Sequence, residues 1–442
     1  METGDATKAE HLCVLVHGLW GKPLHLNHLK DTILEHHSDG RLYVLVPHSN
    51  AEYLTYDGIE LGAERITNEI EQKVEELEKQ GAKLGRISIV GYSLGGLIAR
   101  YAVGLLYKNG LFDKLQPTNF TTFATPHLGV RSPTIGYGGN IWNTLGAKTL
   151  STSGAQMFLA DSFRDTGKPL LSVLAEPNSI FLQGLRMFKN KSIYANTVND
   201  RSVPFYTAGI SRVDPFVDLD AVDLHYQSGQ EPEKQVILEP SNPVTPRQSP
   251  EATRSLYERI SAASSSVPFY AAITLLLPIG ATFFLLNSGV QTYRSAQRVR
   301  MHEEGQSGFK IDRYRMPLLE NAQAMQDRMY RSLSEQKEQY LPTPPPEPSS
   351  DPASSSSSTM MTEGKELARE ESKKEGSPFP ILALTPEQFA MIDNLNDVGL
   401  TKYPVHIKNV RHTHAAIVVR TARESFWEGK LVSAHWASNF EL

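Results

Sequence analysis

Over its first 208 residues the chain alternates short apolar runs with longer stretches in which apolar residues recur every three or four positions. Short apolar runs read as buried strands and amphipathic stretches as helices, so the alternation predicts βαβ units around a parallel sheet. The strands fall at His11–Val16, Leu42–Val46, Arg86–Val90, Phe120–Ala124 and Ser192–Asn196. The clearest helix is Gly62–Lys79, with Ile66, Ile70, Val74 and Leu77 on one face and Glu and Lys on the other. Leu170–Lys189 reads as a second helical stretch, broken near Pro177 and contributing to a cap.

Beyond Ile210 the alternation decays. Residues 214–265 are polar and irregular, with a surface helix expected over Glu251–Ala262. Val267–Leu286 then runs for twenty residues without a charge, and a helix of that length matches the hydrocarbon thickness of a bilayer, about 30 Å. Residues 287–340 are charged, with helix expected over Leu318–Lys337. Leu341–Pro380 carries Pro-Thr-Pro-Pro-Pro, a serine run and Glu/Lys runs, too little apolar surface to fold, and reads as a disordered linker. Order returns at Ile381: a helix over Thr385–Asn394 with Thr385 as cap and Pro386 first, strands at Val405–Val410 and Ala415–Arg420, and a closing helix over Ala422–Trp436.

Composition narrows the function. With 442 residues and 40% hydrophobic content the chain can bury a core of α/β size. A net charge of −5 and no basic stripe interleaved with aromatics argue against a nucleic-acid partner. A single cysteine, Cys13, excludes a disulfide framework and a Cys-rich metal site. The polar, acidic start does not read as a signal or transit peptide, so secretion is not expected.

Chemistry enters at Gly91-Tyr92-Ser93-Leu94-Gly95. The five residues alone are weak, since chance writes them into roughly one chain in seven of this length. Their flanks add the meaning: an apolar strand before and a helix after make the nucleophile elbow, with Ser93 raised over the sheet edge. A serine needs a general base and a carboxylate that orients it. Asp200 follows the strand Ser192–Asn196, where α/β folds place their sites; Asp161 and Asp214 are the alternative acids. The base must come from beyond the linker, where His412 and His414 are both eligible by position. Two backbone N–H groups must hold the oxyanion. Leu94 supplies one, and Leu19 in His17-Gly18-Leu19-Trp20-Gly21 the other, with His17 structural rather than basic.

Together, His17–Gly21, Gly91–Gly96 and Phe123-Ala124-Thr125-Pro126-His127-Leu128-Gly129 resemble the "putative serine esterase" family (DUF676). Its members include fungal lipases and a yeast lipid-droplet phospholipase. The similarity covers residues 10–210 well and 381–442 more loosely. His414-Ala415-Ala416-Ile417-Val418-Val419-Arg420 matches the family's run after its basic histidine and His412 does not, while Asp200 matches its acid loop. The resemblance implies an α/β-hydrolase fold and hydrolysis of acyl lipids through an acyl-enzyme, with no cofactor or metal. An acyltransferase, an acyl-thioesterase or a non-catalytic droplet scaffold would use the same frame.

The organisation that follows is a hydrolase core over 10–208, an insertion over 209–340 with a hydrophobic anchor at 267–289, a linker over 341–380, and the histidine-bearing remainder of the core over 381–442. A single transmembrane span would put His414 on the opposite side of the membrane from Ser93. Pro278 and Gly280 instead suit a hairpin one leaflet deep, with Arg294, Arg298 and Arg300 meeting head groups. The expected partners are an acyl lipid and a membrane or droplet monolayer, on the cytosolic face of a lipid droplet or the endoplasmic reticulum.

Overall fold

Residues 11–16, His-Leu-Cys-Val-Leu-Val, are buried at every position because the strand they form has a packed layer on both faces. Leu12, Val14 and Val16 enter one core and Cys13 and Leu15 the other, the two-residue alternation of a strand. The computed structural model describes residues 2–3, 5–131, 147, 149–247, 286–306 and 378–442. Its main sheet is built from β1 (Glu2–Thr3), β2 (His11–Val16), β3 (Leu42–Leu45), β4 (Arg86–Tyr92), β5 (Gln116–Phe123), β6 (Asn190–Asn196) and a last strand near the C-terminus. Between these, β7 (Val222–Leu224) and β8 (Val244–Pro246) form a separate antiparallel ribbon. The last strand, β9, is Thr401–Val405, and the sheet order is β1-β3-β2-β4-β5-β6-β9. Only β1 runs antiparallel.

Helix α1 (Asn27–His36) and the C-terminal helix Trp427–Ser438 cover one face of the sheet. The other is covered by α2 (Ile59–Lys79), α3 (Leu94–Lys108) and the short helices Leu170–Leu174 and Ile180–Arg186. This is an α/β-hydrolase architecture, with β4 and α3 at its centre. The break near Pro177 is present, but the stretch is a core layer rather than a cap: a Cβ on Gly104 would lie 2.4 Å from the Phe181 ring, so Ile180–Arg186 is pressed against α3.

The five N-terminal strands stand where the apolar runs predict, with β4 continuing to Tyr92 and β5 starting at Gln116. The capped helix does too: Thr385 Oγ1 accepts from the Gln388 N–H at 3.3 Å, Gln388 Oε1 accepts from the Thr385 N–H at 3.1 Å, and Pro386 opens Pro386–Asn396. The C-terminal strands differ. β9 lies upstream of the expected 405–410, in Thr-Lys-Tyr-Pro-Val, whose proline marks it as an edge strand. That edge is covered where the Leu238 N–H donates to the Pro404 carbonyl at 2.9 Å and the His406 N–H to that of Val236 at 2.7 Å. Residues 415–420 form no strand: Thr413–Ala416 is a helical turn, and Ala416, Ile417 and Val418 are buried without sheet pairing. An apolar run reports burial, and without a period it does not report conformation.

The helix over 286–303 is inverted in polarity. Ser288, Gln291, Ser295 and His302 face inward and are buried, while Leu286, Val290, Tyr293 and Met301 are exposed on the opposite side. Arg298 grips the fully buried Asp57 with three bonds, Nε to Oδ2 at 2.9 Å and to Oδ1 at 3.1 Å and Nη2 to Oδ1 at 2.7 Å, alongside Arg65. One turn on, His302 Nε2 meets Glu64, also fully buried. Arg298 therefore neutralises a core carboxylate rather than meeting head groups, and Arg300 pairs with Glu304; Arg294 is exposed. The anchor segment up to residue 285, the helices expected at 251–262 and 318–337, and the linker through 377 lie outside the described residues. Among the described residues no helix is long and apolar enough to cross a membrane.

Breaking one half of a buried pair leaves the other as an uncompensated buried charge. His302→Ala is expected to cost about 3 kcal/mol, read as a lower urea midpoint of the full chain. An unchanged midpoint would show that Glu64 is solvated or otherwise paired.

Candidate active site

β4 ends at Tyr92, α3 begins at Leu94, and Ser93 between them is held at φ 56° and ψ −130°, a conformation that L-residues rarely adopt. The turn is possible because nothing larger than hydrogen fits beside it: a Cβ on Gly91 would lie 2.3 Å from Gly96 Cα, and one on Gly95 2.2 Å from the Val16 carbonyl oxygen. The Ser93 N–H is fixed to the Phe123 carbonyl at 2.9 Å. Its hydroxyl is 3.0 Å from His414 Nε2.

His414 sits on the helical turn Thr413–Ala416, and two contacts position that turn: Tyr92 OH donates to the His414 carbonyl at 2.8 Å, and Thr413 Oγ1 to the Val198 carbonyl at 2.8 Å. His414 Nδ1 is 2.9 Å from Asp200 Oδ2. That carboxylate is almost fully buried and also accepts from the N–H groups of Ser202 and Val203 and from Asn196 Nδ2, at 3.0, 2.8 and 2.9 Å. An ionised carboxylate only accepts, so Nδ1 must carry the proton and Nε2 presents its lone pair to Ser93. The structure thus brings Ser93, Asp200 and His414 together. His412, two residues back, is exposed, and its carbonyl receives the Ala415 and Ala416 N–H groups. Asp161 accepts the Leu170 N–H at 2.9 Å and Asp214 that of Phe216 at 3.2 Å, and neither reaches His414.

The His17–Gly21 loop lies against the nucleophile: a Cβ on Gly18 would stand 2.7 Å from Ser93 Cβ. The Gly21 N–H closes the turn onto the Gly18 carbonyl, and Trp20 is anchored from both backbone and ring, to Thr55 Oγ1 at 3.1 Å and Tyr56 OH at 2.9 Å. Among the described residues the N–H groups of Leu19 and Leu94 have no acceptor; Leu94 opens a helix, ahead of the first intrahelical bond. His17 is buried, contacts the Gly18 carbonyl through Nδ1, and is kept neutral by desolvation, which lowers its pKa. Tyr92 and Asn196, which hold the base and the acid, were not singled out in the sequence, although Tyr92 is a middle residue of the elbow motif itself.

Residues 6–212 match the family described as "Putative serine esterase (DUF676)". Over 214 residues the chain is 32% identical to the Saccharomyces cerevisiae protein named "Putative lipase ROG1", covering 47% of this chain and 29% of that protein. It is 27% identical over 213 residues to a Schizosaccharomyces pombe protein also named as a putative lipase, covering 46% and 26%. The chain therefore spans less than a third of the length of these curated relatives. Among solved structures it is similar to "Phospholipase PlaB from Legionella pneumophila", at TM-score 0.28 and 17% identity over 54% of this chain and 51% of that one. A lipase-esterase related protein from Clostridium acetobutylicum gives TM-score 0.27 and 13% identity over 47% and 82%. The esterase-family match contains Ser93 and Asp200 and stops short of His414.

Asp214, spare at the site, has a measurable consequence. Burial raises its carboxyl pKa from 3.8 to about 6. The folded chain holds that proton more tightly than the unfolded chain, so stability is lost as pH rises from 3.8 through about 6. Asp214→Asn keeps the acceptor for the Phe216 N–H and removes the charge. It is expected to raise stability by about 1–2 kcal/mol above pH 6 and by nothing near pH 3.5; equal effects at both pH values would contradict the burial argument.

Proposed function

We propose that the chain is a carboxylic ester hydrolase that cleaves acyl lipids at a membrane or lipid-droplet surface, with Ser93 as nucleophile, His414 as general base and acid, and Asp200 orienting it. The observation that carries this reading is the pair of contacts at His414, 3.0 Å to Ser93 and 2.9 Å to Asp200, beside two uncommitted backbone donors. Ser93 Oγ attacks the acyl carbon as Nε2 takes its proton, and the carbonyl oxygen gathers negative charge toward the Leu19 and Leu94 N–H groups. Nε2 then returns the proton to the departing alkoxide as the ester C–O bond breaks. Water attacks the acyl-enzyme by the same route, releasing the fatty acid and restoring Ser93.

Three features support a lipid surface. The relatives of known name are called lipases. The exposed stripe Leu286, Val290, Tyr293 and Met301 directly follows the charge-free segment, and Asn287 at its start shares a groove with Trp20 and Tyr53, both exposed beside the oxyanion loop. Because Ser93 and His414 meet, the chain between them must leave and return on one side of any bilayer. This favours a one-sided hairpin at Val267–Leu286 and a place on the cytosolic face of a droplet or reticulum membrane.

Ser93→Ala is expected to abolish hydrolysis of p-nitrophenyl butyrate and of emulsified acyl lipids, and Asp200→Asn to lower kcat by about 10³–10⁴-fold by allowing the wrong imidazole tautomer. Activity retained by Ser93→Ala would overturn the assignment. Deleting residues 267–285 is expected to release the protein from floated droplets while the short ester is still cleaved; continued flotation would remove the anchor from that segment.

A further inference from the structure

His414 forms one wall of a cleft of about 370 Å³ whose other walls carry Arg201, Arg411, His412, Arg420 and Arg423. Asn199, Ser202 and Thr421 add neutral hydrogen-bonding groups, and none of the described lining residues is acidic. Gathering four guanidinium groups in one cleft runs against a chain whose net charge is −5. It also runs against their mutual repulsion, because among the described residues none of the four has a carboxylate partner. Two carboxylates of the surrounding elements are committed elsewhere: Asp200 to His414 and its own loop, and Glu428 to the Lys408 and Asn409 N–H groups and Asn409 Nδ2. Arg423 lies over the buried Phe426 ring, 5.7 Å from its centre, which limits the directions its fork can take.

The position of the cleft relative to the reacting bond is informative. Its walls come from the acid loop and from the chain either side of His414, and none comes from the oxyanion loop or from Leu94. It therefore lies on the histidine side of the site and meets Ser93 only through His414, whose Nε2 is 3.0 Å from the Ser93 hydroxyl. His414 delivers its proton to the departing oxygen, so the alcohol half of an ester must lie on that side. Guanidinium forks match phosphate oxygens in charge and geometry. We infer that this cleft is a phosphate subsite for the alcohol half of the substrate, so that the ester preferred is an acyl glycerophosphate lipid over a neutral glyceride. The inference rests on Ser93 being the ester-cleaving nucleophile, and it assigns Arg411 and Arg423 as specificity-determining residues. Arg201 adjoins Asp200, and the Arg420 charge acts on Tyr92, which holds His414, so neither offers a clean test.

The test uses full-length protein and the double variant Arg411→Gln/Arg423→Gln. Phosphatidylcholine and a diacylglycerol with the same acyl chains are presented at low mole fraction in neutral detergent micelles, which removes any attraction to a charged surface. The ratio of kcat/KM for phosphatidylcholine to that for diacylglycerol is expected to fall roughly tenfold in the variant, mainly through KM, and the loss to shrink in high salt. A ratio unchanged from wild type overturns the subsite. Acyl-coenzyme A, assayed alongside, distinguishes phosphate on a nucleotide from phosphate on a lipid: a loss confined to acyl-coenzyme A overturns the lipid assignment. Titration with glycerol 3-phosphate, followed by NMR, reads the cleft without catalysis, and binding is expected to wild type and not to the variant. If wild type cleaves no ester while that difference in binding remains, the hydrolase reading fails and the phosphate site stands. If glycerol 3-phosphate binds both equally or neither, the subsite is wrong.

Discussion

Ser93 is held at φ 56° in a turn with no room for a side chain at the neighbouring glycines, and that strain shapes the structure around it. Residues in such conformations cost about 1–3 kcal/mol and persist only when the surroundings over-determine them. Here the determinants are spread across the sheet: β2 presents its carbonyl to Gly95, β5 anchors the Ser93 N–H, and the loop after β2 closes over the hydroxyl through Gly18. The nucleophile is therefore aimed by strands on both sides of β4 rather than by its own loop. Asp200 and His414 need no comparable strain, because hydrogen bonds from Asn196, Tyr92 and Thr413 hold them.

The charge-free segment gives way to a helix whose polar side is turned inward. Arg298 and His302 meet Asp57 and Glu64, acids that would be costly to bury alone. Asp57 ends the 3₁₀ turn Glu52–Tyr56, whose Thr55 and Tyr56 in turn hold Trp20 next to Leu19. The same few residues thus join the helix after the hydrophobic segment to the loop that contacts the nucleophile. One helix thus carries an apolar stripe facing outward and an ionic stripe facing inward.

How much of this the sequence revealed depends on how local each signal is. β2 to β6 were legible because they are short apolar runs bounded by turn residues, and the Thr385 cap because its chemistry lies within four residues. β9 was misplaced because an edge strand tolerates Lys402 and Pro404, which disguise it. Ala415–Arg420 reads as a strand and is not one, because burial without periodicity fits several conformations. At the site, Ser93 and Asp200 could be located from the turns that carry them. His412 and His414 could not be separated by position; the helical turn does that, pointing one at Ser93 and leaving the other in solvent. Tyr92 and Asn196 act across the fold, a relation that no local pattern records.

The separation of Ser93 and His414 by 321 positions gives the molecule a property its sequence similarity hides. The stretch that matches the esterase family ends at residue 212, so it holds Ser93 and Asp200 but not His414. Ser93, Asp200 and His414 come together only when β9 and the chain beyond it dock beside β6. On the proposed assignment, a chain cut between residues 307 and 377 would behave as a split enzyme, whose activity reports whether the two pieces have met along one sheet edge.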